Sequence, residues 1–152
     1  MKDNMTITLR EITKDNWYKA AKLKVSETQQ NFVAPNWYSM LEVAYNPDDM
    51  YHRAIYAAEE MVGYAMMGRD PEDGSHGIWR LMIADDHQGK GYGRAAMQAI
   101  IKDMKVRYQP EALFITFEPE NIAARKLYES LGFVDTGELI EGEVLFRLPL
   151  NS

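Results

Sequence analysis

The chain has 152 residues, 46% of them hydrophobic, with 23 acidic and 17 basic side chains and a formal net charge of −6, which suits one domain with a real core and argues against a basic, nucleic-acid-binding face. No cysteine is present, so disulfides, thiolate zinc sites and an acyl-cysteine intermediate are excluded together. The three histidines, His52, His76 and His87, lack helical i, i+4 partners, so no metal is expected; without an apolar run of about 18 residues or an apolar leader, the expectation is a cytoplasmic protein with no membrane partner.

Thr6–Ile12 alternates as a strand. Asp15 and Asn16 offer caps for a helix carrying Trp17, Ala20, Ala21 and Val25. Pro35 precedes a second short helix over Asn36–Tyr45. Arg53–Ala58 and Met61–Gly68 are apolar-rich runs around Glu59-Glu60 and read as a hairpin. Gly77–Ala84 reads as another strand.

From Gly91 the period changes. Met97, Ile100, Ile101 and Met104 fall at i, i+3, i+4 and i+7, one stripe of a helix of about four turns. Ala112–Phe117 is a continuous apolar run, as in a strand buried on both faces. Ala124, Leu127, Tyr128 and Leu131 repeat the helical spacing before Gly132, a natural stop. Phe133–Leu139 and Glu143–Leu148 read as two strands around Glu141-Gly142. A helix between Gly77–Ala84 and Ala112–Phe117 implies that these strands lie parallel, joined by a right-handed crossover. The expected fold is a mixed α+β sheet, otherwise antiparallel, in a single domain.

The chemistry concentrates where that strand gives way to the helix, at Gln88-Gly89-Lys90-Gly91-Tyr92-Gly93-Arg94. Glycines let backbone approach a ligand closely and take positive φ. The first-turn N–H groups of a helix, with its dipole, favour an anion, and Lys90 and Arg94 add two cations. The pattern is neither a P-loop nor the dinucleotide spacing with a later ribose-binding acid. Taken alone, it fits either an anion cradle or an ordinary glycine turn.

This segment resembles the Q/R-x-x-G-x-G/A signature of the GNAT (Gcn5-related) N-acetyltransferases. Asn121-Ile122-Ala123-Ala124-Arg125-Lys126-Leu127-Tyr128-Glu129-Ser130-Leu131-Gly132-Phe133 is similar to that family's second signature, N-x-x-A-x-x-L-Y-x-x-x-G-F. The resemblance implies a sheet of about seven strands with helices on both faces and one parallel pair in the middle. It implies acetyl-coenzyme A as cosubstrate. Gln88, Gly89, Lys90, Gly91, Tyr92, Gly93 and Arg94 would hold its pyrophosphate, and backbone groups of Met82, Ile83 and Ala84 would pair with the pantetheine arm. Asn121 and Ala124 would border the pantetheine, with Lys126 near the nucleotide. Tyr128 would protonate the departing thiolate, against the plainer reading of a packed ring with its hydroxyl satisfied.

Many family members carry a glutamate early in the strand before the loop, where this chain reads Gly77-Ile78-Trp79-Arg80. Glu118, just past Phe117, is the first candidate base, since strand ends border sites in open sheets, followed by Glu27 and Glu120; the alternative for each is a solvated surface acid. Within the family, Gly63–Arg69 and Gly137-Glu138-Leu139 with Gly142-Glu143 resemble bacterial spermine/spermidine acetyltransferases. A small-molecule amine, most simply a polyamine, is therefore the expected acceptor. Glu27, Trp37, Trp79 and Glu120 are its candidate contacts, through charge and cation–π attraction; the alternative is that the aromatics are core and the acids solvated. A protein amine, an aminoglycoside-type amine and a noncatalytic acetyl-coenzyme A sensor stay open. Family members often dimerise, which makes a homodimer one expected state.

Overall fold

A computed structural model describes residues 6–25 and 35–150. In chain order it contains β1 (Ile7–Arg10), α1 (Trp17–Lys22), α2 (Asn36–Tyr45), β2 (Met50–Ala57), β3 (Glu60–Arg69), β4 (His76–Ile83), α3 (Tyr92–Tyr108), β5 (Ala112–Phe117), α4 (Ile122–Ser130), β6 (Val134–Ile140) and β7 (Glu143–Pro149). A 3-10 turn, Asp85–His87, links β4 to α3. The strands form one sheet in the order β1-β2-β3-β4-β5-β7-β6. β4 and β5 are its parallel pair, and the other neighbours are antiparallel. The β6–β7 turn has both Glu141 (φ 50) and Gly142 (φ 85) at positive φ, the backbone that a tight, right-twisting hairpin demands.

Helices cover both faces. α3 sends Ala96, Met97, Ile100 and Met104 into a cluster with Ala65, Met67, Ile78, Leu113 and Ile115, and α4 adds Tyr128 to it. Ala20 of α1 and, half-buried, Met40 and Val43 of α2 pack on the opposite face against Tyr64, Met66 and Met82. Some boundaries differ from the sequence reading. α1 stops at Lys22, so Val25 lies beyond the helix, although its side chain is buried. Asn16 occupies the N-cap position but leaves the helix uncapped, because its Oδ1 accepts the Thr13 N–H at 2.7 Å. Ile101 is half-buried at the edge of its stripe.

The feature that positions the site is in β4. Met66 pairs with Arg80 and Met67 with Ile78, so Trp79 is an extra, bulged residue. A bulge bends its strand and breaks the strict alternation of side chains. Ile78, Leu81 and Ile83 face the α3/α4 core. Trp79 and Met82 pack in the α1/α2 cluster, and Arg80 reaches Glu42 of α2. Trp79 and Arg80 therefore project to the same side. Pairing with β5 spans only His76–Ile78 opposite Leu113–Ile115. Past that point the strands part, leaving Trp79–Ile83 with β3 on one edge and a gap on the other.

Gly63 maintains the β3 side of this arrangement. It lies opposite Ile83, and a Cβ there would stand 2.4 Å from the Met82 carbonyl oxygen, a backbone atom with little room to move. Gly63→Ala should cost about 1–3 kcal/mol, as overpacking does. At Gly93 an added Cβ meets nothing nearer than 3.7 Å, so Gly93→Ala should keep the wild-type midpoint. Urea denaturation of both variants checks the contrast.

Candidate active site

The parity of β4 decides which backbone groups face the gap. The Ala84 N–H donates to the Val62 carbonyl at 2.8 Å, and the Met82 carbonyl points at Gly63. Both residues thus turn their backbone groups toward β3. Alternation then aims those of Leu81 and Ile83 into the gap. Of the expected trio of Met82, Ile83 and Ala84, Ile83 is then the one whose backbone faces the gap, with Leu81 beside it in the alternation. The Ile83 carbonyl already accepts the Gln88 amide, Nε2 to O at 2.9 Å, so Gln88 ties the loop to the strand end.

Beyond Gln88 the loop enters α3. Gly89 and Gly91 both take φ +81, a conformation that costs a residue with a Cβ about 1 kcal/mol or more. Gly91 is the N-cap of α3; no side chain caps this terminus and its first turn holds no acid. The N–H groups of Tyr92, Gly93 and Arg94 lie before the first intrahelical donors and point out of the helix end. The dipole adds positive potential there with no carboxylate to cancel it.

These elements line an open cavity of about 310 Å³. Leu81, Met82, Ile83, Gln88, Gly89, Gly91, Tyr92 and Gly93 line it from β4 and the loop, and Asn121, Ala123, Ala124, Leu127 and Tyr128 from α4 and its cap. Val25 and His87 complete the wall. His87 was not foreseen. Its side chain is only 12% exposed, with Nε2 3.2 Å from Glu60 Oε2, so it fastens the 3-10 turn to β3.

The cations stand outside the wall. Lys90 and Lys126 are exposed, and the Arg94 guanidinium is taken by the Ser130 hydroxyl and carbonyl. Arg94 therefore joins α3 to the end of α4, and the amides form the inner surface of the cradle. Asn121 caps α4, its Oδ1 accepting the Ala124 N–H at 3.2 Å. That bond uses Oδ1, and Asn121 also lines the cavity.

Tyr128 is buried yet lines the same cavity. Phe117 and Phe133 lie against its ring, centroids 5.5 and 5.8 Å away. Burial pushes the hydroxyl up to about 12, so at neutral pH Tyr128 is a protonated residue on the cavity wall. The other candidates are dispersed. Glu118 is half-buried at the end of β5, off the cavity wall, and its carbonyl accepts the Asn121 N–H at 2.9 Å. Glu120 is exposed in the following turn. Trp37 stands exposed on α2, edge-on to Tyr38. Trp79 lies half-buried on the α1/α2 face. Ala84 is buried off the wall. Glu27 lies outside the described residues. Among the described residues no group of three or more His, Asp or Glu converges to hold a metal ion, and no helix is long and apolar enough to cross a membrane.

Residues 8–133 match the family model described as Acetyltransferase (GNAT) family. The spermine/spermidine N(1)-acetyltransferase of Bacillus subtilis (strain 168) is 29% identical over 145 residues, covering 89% of this chain and 92% of the relative. A domain from Methanocaldococcus jannaschii superposes with a TM-score of 0.77 at 20% identity, covering 95% of this chain and 99% of that one. Spermidine N-acetyltransferase from Vibrio cholerae, solved in complex with CoA and spermine, superposes with a TM-score of 0.74 at 18% identity, covering 93% and 92%.

The raised Tyr128 value has a measurable sign. The folded chain holds this proton more tightly, about 12 against about 10 unfolded. The associated stability is complete below pH 10 and is lost as pH rises through 12. Denaturation midpoints of the wild type should therefore fall relative to Tyr128→Phe between pH 10 and 12. The other buried tyrosines titrate in both proteins and cancel. Parallel curves would show that the hydroxyl is not desolvated.

Proposed function

The chain belongs to the acetyltransferase (GNAT) family, and we propose that it moves the acetyl group of acetyl-coenzyme A directly onto a primary amine of a polyamine such as spermine or spermidine. One observation carries the reading: an uncapped, acid-free helix terminus and a buried tyrosine hydroxyl open into one cavity beside an unpaired strand edge. Amides at that terminus suit a diphosphate. The gap-facing backbone of Leu81 and Ile83 suits an amide-bearing arm laid alongside as an added strand. The family resemblance and the Bacillus relative support a polyamine acceptor, as does the net charge of −6.

Bound acetyl-coenzyme A supplies an activated acyl group. Gln88 through Arg94 hold its phosphates, Leu81 and Ile83 align the arm, and Asn121 donates to it from the opposite wall. The amine nitrogen bonds to the acyl carbon as the carbon–sulfur bond breaks, and Tyr128 gives its proton to the departing sulfur. A thiol with a reference pKa of about 8.5 leaves as an anion and benefits from that donor. No cysteine is present to carry the acyl group, consistent with direct transfer.

Thiol release from acetyl-coenzyme A with a panel of amines tests the substrate. Spermine or spermidine should turn over; turnover of peptides or aminoglycosides with neither polyamine would overturn the assignment. Tyr128→Phe should lower kcat about 10²-fold or more while coenzyme affinity holds; an unchanged rate would point to a binder without acid catalysis. Gly91→Glu places a carboxylate at a position with φ +81 and should abolish coenzyme binding by calorimetry. Undiminished affinity there would move the phosphates elsewhere.

A further inference from the structure

On the α1/α2 face of the sheet, four side-chain atoms among the described residues are buried without a hydrogen-bonding partner. They are Ser39 Oγ and Glu42 Oε1 on α2, and Trp79 Nε1 and Arg80 Nε on β4. Arg80 Nη2 lies 3.7 Å from Glu42 Oε1, too long for a hydrogen bond, and this contact brings the two segments together. Trp79 and Arg80 are the bulge residues, so the group borders the place where β4 parts from β5.

The set contains two donors, one acceptor and a hydroxyl that serves as either. A water molecule, which both accepts and donates, satisfies it; a purely cationic group, with nothing to accept, does not. Among the described residues, Arg80 from β4 and Tyr64 from β3 interact electrostatically with or lie beside Glu42, with His52 of β2 behind Tyr64. The Tyr64 hydroxyl is taken by His52 Nδ1 at 2.8 Å, and burial lifts Tyr64 well above the usual phenol range. Glu42 is the carboxylate among these described residues, and its side chain is 30% exposed, which leaves it a path to solvent.

We propose that Glu42 accepts the surplus proton of the incoming ammonium through a water held by Ser39, Trp79 and Arg80. The assignment rests on the amine-acetylation reading above. The ammonium loses one proton through the water to the Glu42 carboxylate, and the freed lone pair bonds to the acyl carbon. The carbon–sulfur bond breaks, Tyr128 protonates the sulfur and regains a proton from the new amide nitrogen, and Glu42 releases its own to solvent.

Glu42→Gln, assayed with acetyl-coenzyme A and whichever amine the wild type turns over, should lose on the order of 10²-fold in kcat/KM at pH 7. Acetyl-coenzyme A affinity should stay within about twofold. The deficit should shrink as pH climbs toward about 10, where the amine sheds its proton unaided; a merely structural role would leave it constant. Glu42→Asp, which keeps a carboxylate, should retain the shape of the wild-type pH profile at reduced rate, and it carries the test should the Gln variant not fold. Glu118→Gln should be close to wild type. Full activity of Glu42→Gln at pH 7, a deficit that does not change with pH, or a loss in Glu118→Gln instead would overturn the assignment. A wild type that turns over only non-polyamine amines overturns the substrate reading and leaves the Glu42 test intact.

Discussion

One extra residue in one strand separates β4 from β5, and the site follows from that separation. With Trp79 bulged against Met66 and Met67, the parallel pairing stops at Ile78 and Ile115. A sheet edge left open in its middle presents N–H and C=O groups that need a partner. In β4 these belong to Leu81 and Ile83. The same bulge sets Trp79 and Arg80 side by side on the α1/α2 face.

The electrostatics of the cradle depend on what its sequence omits. α3 begins at a glycine, without a capping side chain or an acid in its first turn, although capping would stabilise the isolated helix by about 1 kcal/mol. The oriented amides stay available, in a chain whose overall charge is negative. Lys90 and Lys126 stand at the rim and Arg94 is spent on holding α3 to α4. Across the cavity, the apolar packing that buries Tyr128 also keeps it protonated. The ring that packs in the core carries the hydroxyl proposed as the donor.

Local features were legible from the sequence. The glycine loop, the α3 stripe, the apolar run of β5 and the α4 signature each depend on neighbours within a few turns, and the motif resemblance carried the fold. The bulge was not. Gly77–Ala84 reads as an uninterrupted strand, and an insertion of one residue shows only in the register with β3. Leu81 was missed for the same reason, since facing depends on pairing. The tie between the Arg94 guanidinium and Ser130 was not legible, because the two are 36 residues apart. Glu42 reads as an ordinary helix-surface acid until Arg80 and the buried atoms around it are in place. Trp37 and Glu120 carried the right chemistry, but the fold leaves both exposed and off the cavity wall.

The central claim is that the parted strands and the bare end of α3 together form one coenzyme site. A crystal structure of the chain with coenzyme A tests it most directly. The account predicts the diphosphate on the amides of Tyr92, Gly93 and Arg94, and the pantetheine arm between β4 and β5, bonded to the backbone of Leu81 or Ile83. A coenzyme bound with its arm outside that gap, or with its phosphates away from the α3 terminus, would contradict it.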